Sequence, residues 1–332
     1  MAGRAFAFAD PEIIRLAQTA FVPVSADDWY QRRRKDAEGE FFRKVASQGP
    51  RKGEGGGTRQ GIYILTADGE LLAFKNAGQD VKATREQLRQ GLQKWNALPA
   101  NRRDAGAVKV EAHGKLDANF TRTVPEGGLV ARVHARILDK TADGYAKGAT
   151  EVGGGDKASR DFLWLTAEEV RQLAPTKPEK DFTYPIPVKI AERIARFHLI
   201  DNTRGEPPLW EKKELRKQNL TLTVVKVSED AIELRVAGDV LLCNDADPMK
   251  ANRGYEATLH GTLVYQPSQP RFTAFDVAAI GEHWGDGDFT RKGTRPGKGL
   301  LGIAFGLADP ANAADRVSPQ GIRDRNAYFG ND

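Results

Sequence analysis

The sequence predicts an α+β protein of two domains: an α/β domain, then a mainly antiparallel β domain with peripheral helices. Three observations carry this. Helical and strand periodicities alternate through the first hundred residues. From Asn219 onward, apolar-alternating runs follow one another with short turns between them. In the middle, Leu98-Pro99 ends a helix and 100–107 is polar. A chain of 332 residues is long enough for two separate cores.

Asp10-Pro11 is a helix start, since Asp accepts from free N–H groups and Pro suits the first helical position. Ile13, Ile14, Leu16, Ala17, Ala20 and Phe21 then form an apolar face. Val22-Pro23-Val24 reads as a buried strand. A helix is expected over 29–47, with Phe41, Phe42 and Val45 inward, Arg32, Arg33, Arg34 and Lys35 outward, and Gly39 weakening its middle. The Gly-rich stretch 49–61 is a loop. Strands at 62–65 and 71–74 flank the turn Asp68-Gly69. Asp80 caps a last helix with the stripe Val81, Leu88, Leu92, Trp95 and Leu98.

This α-β-α-β-β-α order resembles the thioredoxin fold from its second helix onward. The run Phe8-Ala9-Asp10-Pro11-Glu12-Ile13-Ile14-Arg15-Leu16, followed by Phe21-Val22-Pro23-Val24, looks like the stretch after the active-site motif of bacterial thioredoxin-like proteins. Gly61-Ile62-Tyr63-Ile64-Leu65-Thr66-Ala67-Asp68-Gly69-Glu70 looks like that family's central hairpin. The resemblance covers about the first third of the chain and implies a thioredoxin-like domain at 1–99; the polar stretch after it reads as a linker at 100–107, with a β-rich domain at 108–332. Two departures matter. The family's Cys-x-x-Cys would lie upstream of Asp10 and is not in this sequence, and Gly61 stands where the family has its cis-proline. The only cysteine is Cys243, expected as a buried core thiol. Dithiol exchange needs an attacking thiolate and a resolving thiol, so the expected domain is redox-inactive.

The second half is β-rich. Leu129, Ala131, Val133, Ala135 and Ile137 alternate with Arg132, His134 and Arg136. Thr166-x-x-Glu169 is a capping box opening a short helix. Pro187 opens another, with Ile190, Ala191, Ile194 and Phe197 inward. Strands at 220–227, 231–240, 255–265, 272–281 and 300–307 form a meander, expected as a curved sheet, sandwich or partial barrel.

Chemistry-bearing candidates are few. His283 lies in Gly281-Glu282-His283-Trp284-Gly285-Asp286-Gly287-Asp288, where Asp286 and Asp288 could assist proton transfer and Trp284 offers a flat surface to a ligand. His198 precedes Asp201, Asn202, Arg204 and Glu206. The plainer alternative makes both histidines turn caps and Trp284 a plug for the sheet end. Arg59 and Gly61 rim the degenerate thioredoxin site and are candidate ligand contacts. The glycines at 53–57 do not form a phosphate loop, which needs Gly-Lys-Ser/Thr before a helix. No motif calls for a metal or cofactor.

Net charge is +5 and the isoelectric point about 9.1, but acids interrupt the basic run at 32–35, so nucleic acid is not an expected partner. No apolar run approaches ~20 residues, so no membrane span is expected. Residues 1–10 do not read as a signal peptide; the expected location is cytoplasmic, or extracytoplasmic if the N-terminus is truncated. The functional expectation is a redox-inactive thioredoxin-like binding or scaffold protein, its partner a protein or small molecule. The alternatives are a thiol–disulfide oxidoreductase with its cysteines upstream, and an enzyme using His283 or His198 with nearby carboxylates.

Overall fold

A computed structural model describes residues 7–50, 57–76, 80–109, 114–144, 146–148, 158–285, 287, 297–309 and 311–330. Contacts divide the chain into two compact units, 4–122 and 123–332.

The first unit opens with α1 (Pro11–Ala20), where Asp10 accepts from the backbone N–H groups of Glu12 and Ile13, both at 3.1 Å. The single helix expected over 29–47 is two, α2 (Asp28–Gln31) and α3 (Ala37–Ser47). The break has a local cause. Arg34 turns inward and grips Asp36 through Nε and Nη2, at 2.7 and 2.6 Å, while Asp36 accepts from Gly39 N to start α3. Arg34 is therefore buried rather than outward, and Phe41 is exposed rather than inward. A Cβ on Gly39 would stand 2.3 Å from the Arg34 carbonyl, so glycine is needed there for close approach.

β1 (Ile62–Leu65) and β2 (Leu71–Lys75) pair antiparallel, and α4 (Val81–Ala97) packs on them around Ile64, Leu72, Ala73 and Leu88. The strand expected at 22–24 does not form. Residues 22–26 are exposed and in no ladder, and β1 and β2 pair only with each other among the described residues. Part of the stretch expected as linker forms α5 (Ala100–Arg103), tied to the hairpin turn by Arg102 at 3.0 Å from Asp68 and 2.9 Å from Glu70. The division between units falls after Arg122 instead.

The second unit contains β3 (Leu129–Lys140), β4 (Ala146–Gly148), β5 (Asp161–Leu165), α6 (Ala167–Leu173), β6 (Thr183–Pro185), α7 (Val188–Arg193), β7 (Leu215–Val227), β8 (Ile232–Cys243), β9 (Gly254–Gln266), β10 (Arg271–Trp284), β11 (Gly299–Leu307) and α8 (Arg325–Phe329). All pairings are antiparallel, in the order β4-β3-β11-β10-β9-β8-β7-β6, with β5 also on β3. The two ends do not meet, so this is one open sheet. The alternation on β3 sends Leu129 to Ile137 into the core as expected. The sequence reading missed β5, whose five residues are all buried and do not alternate, and the three-residue β6.

One sheet face packs against α6, α7 and the chain after them, forming the main core. A cavity of about 20 Å³ there is lined wholly by apolar side chains, Ile190, Leu259, Phe275 and Phe305 among them. It is a packing gap of about one water's size, far below a ligand site of ~300 Å³ or more. A second core of Val130, Phe162, Trp164, Phe197, Ile322 and Tyr328 joins β3 and β5 to the C-terminal segment. No described helix is long and apolar enough to cross a membrane.

Candidate functional site

Four consecutive polar residues, Asp201 to Arg204, are buried, and so are His198 and His283. Buried polar side chains are costly unless partnered, so this stretch is where chemistry or structural necessity must show itself. The path there is set locally. α7 continues into a π-helical turn, Ile194–His198, and Leu199 leaves helical geometry at φ −84°, ψ 63°. Leu199 and Ile200 enter the main core. Trp210 then fastens the loop, with Nε1 donating to the Leu199 carbonyl at 2.9 Å. Arg253 lies 3.7 Å over the Trp210 ring, and burial pulls its guanidinium down to about 10.

His198 and His283 belong to different networks. His198 is 2% exposed, and its Nε2 lies 3.0 Å from the Tyr328 hydroxyl, which accepts from Trp164 N at 3.1 Å. Its Nδ1 is 3.3 Å from Asp161 Oδ2, and Asp161 Oδ1 accepts from Gln320 N at 3.0 Å. Next to it, Arg193 donates to Glu169 and to the Tyr328 and Trp164 carbonyls. These bonds join α6, α7, β5 and α8. Burial pushes the Tyr328 hydroxyl well above its ordinary range, which suits a fixed hydrogen-bonding group and not a nucleophile.

His283 is 4% exposed near the end of β10, in register with Tyr255 on β9 and Gly299 on β11. The acid it acts on is Asp201. Burial pushes that carboxyl up, but the charges of His283 and Arg204 and hydrogen bonds from Thr203 and Arg204 outweigh it, holding Asp201 below 3.8. Asp201 accepts from Thr203 N at 3.0 Å and from Arg204 Nε, and Arg204 Nη2 reaches the Gly285 carbonyl at 3.2 Å. The loop 199–210 is thereby fixed to the end of β10. Asp286 and Asp288, expected beside His283, lie outside the described residues.

Trp284 lies over Gly254, where a Cβ would come within 2.1 Å of the indole. Its Nε1 donates to the Ala251 carbonyl at 2.9 Å, and Lys298 Nζ sits 4.3 Å above the ring. A ligand would have to displace these contacts. In the first unit, Arg59 N donates to Asp28 Oδ1 at 3.0 Å, and the Phe74 ring occupies the space over Gly61, 2.2 Å from an added Cβ. Gly61 is thus a packing glycine. Cys243 is buried, with Sγ 3.2 Å from the Asp245 carbonyl. Among the described residues no group of three or more His, Cys, Asp or Glu side chains could hold a metal ion.

The carboxylates set an acid limit. Hydrogen bonds from Arg34 hold Asp36 well below 3.8, those from Arg132 do the same for Asp315, and Asp201 is held down as described. A depressed folded value means stabilisation that is full above the unfolded value and lost as pH falls through the folded one. Urea midpoints should be flat from pH 8 to 5 and fall steeply below about 4. A chain as stable at pH 3 as at pH 6 would contradict these pairings.

No protein-family model, curated protein or solved structure matches this chain.

Proposed function

We propose that this chain is a binding protein, with a thioredoxin-like N-terminal scaffold that runs no thiol chemistry and a C-terminal sheet that carries recognition. The observation that supports it is that both candidate histidines are walled in. A general base must come within hydrogen-bond reach of its substrate, and His198 and His283 are instead spent on joining loop, sheet and C-terminal segment. The lone cysteine is buried as well. What the second unit offers outward is the open sheet face. Ala237, His260, Ala278, Ala304 and His134 lie in register across five strands there, beside the row Asp239, Thr258, Ile280, Gly302 and Arg136. Ile280 is 46% exposed in its middle. Ala237, Ala278, Ala304 and Gly302 leave the backbone approachable between the larger side chains of these rows.

The test has two arms. Insulin disulfide reduction should stay at background, with and without Cys243→Ser. In affinity capture, proteins retained by the wild type should be lost by an Ala278→Lys, Ala304→Lys variant, whose changes lie outside the core. Disulfide turnover above background, or an identical captured set, would contradict the proposal.

A further inference from the structure

Among the described residues from 104 to 116, none is buried and none lies in a helix or strand. The chain is pinned again at 117–122, the last stretch before the division between units. Two aspartates do this by exchange. Asp36 Oδ2 accepts from Asp117 N at 2.7 Å, and Asp117 Oδ2 accepts from Lys35 N at 2.9 Å. Asp117 Oδ1 accepts from Asn119 N at 3.0 Å, and the Thr121 hydroxyl donates to the Asp117 carbonyl at 2.8 Å. An aspartate that bonds its own backbone two residues on makes a compact turn. That turn brings the Phe120 ring to 5.8 Å from the Trp29 ring, and the Arg122 guanidinium to 5.2 Å from the ring of Tyr30.

We propose that residues 117–122 are a clasp that sets the free length of chain leading to the second unit. Closed, the chain leaves the first unit at Arg122, and β3 starts at Leu129. Open, the tether begins instead after α5, at 104, which adds a root-mean-square span of about 25 Å. The contacts open together. Each carboxylate holds the backbone beside the other aspartate, so neither bond keeps its geometry once its counterpart is lost. Phe120, Thr121 and Arg122 are only partly buried, the setting in which local opening costs least. Asp36 also grips Arg34 and starts α3, so the first unit keeps its side of the clasp formed whether or not the other side is seated.

Trypsin cutting after Arg122 in the full chain reads the open population, because a protease needs the segment released. Measured against cutting after Lys250, an exposed site far along the chain, it should rise at least tenfold in Asp117→Ala and in Phe120→Ala. Asn119→Ala, whose side chain takes no part in these contacts, should keep the wild-type rate. Circular dichroism should not change, because 114–122 hold no helix or strand. Small-angle scattering of the two opened variants should give a larger radius of gyration than the wild type, the direct sign of a longer tether. Equal cutting after Arg122 in the wild type and both opened variants would overturn the proposal. So would faster cutting in Asn119→Ala as well, or faster cutting with an unchanged radius.

Discussion

Replacing Arg193 with Ala should destabilise the protein by about 3–5 kcal/mol, a fall in melting temperature of roughly 6–20 °C for a unit of this size. Arg193 is fully buried. Its Nε donates to the Tyr328 carbonyl at 2.6 Å, and its Nη1 to the Trp164 carbonyl at 3.0 Å and to Glu169 Oε2 at 2.7 Å. Its guanidinium lies 5.0 Å from the Tyr328 ring and 4.8 Å from that of Phe329. Truncation leaves a carboxylate and two carbonyls buried without their donor. The cost comes from that orphaned charge more than from the lost attraction. Arg193→Met with Glu169→Gln should therefore recover most of the loss, since Gln keeps the capping position at Thr166 and removes the charge. Urea denaturation of the two variants checks this; equal losses would show that packing, not charge, dominates the site.

Much of the fold was legible because it is written in local periodicity. The capping residues Asp10, Asp80 and Thr166, the alternation on β3 and the long strands of the meander all appear as read. Most of the failures come from tertiary context, and one from a local pairing. Val22 and Val24 have strand propensity but no partner strand among the described residues, and propensity without a ladder does not make a strand. Arg34 was placed outward because arginine in a charged run usually is, yet Asp36 two residues on draws it in. β5 was missed because burial on both faces erases alternation. At the candidate site the sequence gathered Asp201 and Arg204 around His198, their near neighbour. The fold sends them instead to His283, about eighty residues away, and gives His198 to Asp161 and Tyr328. No local spacing encodes those partnerships, because strand registers and the return of β3 to β11 create them.

Asp201→Asn should be nearly as damaging as the loss of Arg193, at about 3–5 kcal/mol. Asn still accepts from Thr203 N, so the turn geometry survives. What goes is the carboxylate charge beside Arg204 and His283, and with it the buried ion pair between Asp201 and Arg204. The pH dependence carries a sign that packing alone would not produce. Asp201 is depressed when folded, so the wild type's advantage over the variant is full above about pH 4. The difference should narrow as pH falls from the ordinary carboxylate value toward the lowered folded one. A gap that closes between pH 6 and 5 would mean that a different group is responsible.

The central claim is that the buried histidines hold the fold and are not poised to react. A double-mutant cycle on Asp201→Asn and His283→Gln, followed by urea denaturation at pH 7, tests it most directly. Each single change should destabilise the chain, and the double variant should lose less than the sum by about 1 kcal/mol or more, because both changes remove the same interaction between Asp201 and His283. A His283→Gln chain as stable as the wild type, with effects that simply add, would contradict the account and return His283 to the list of reactive groups.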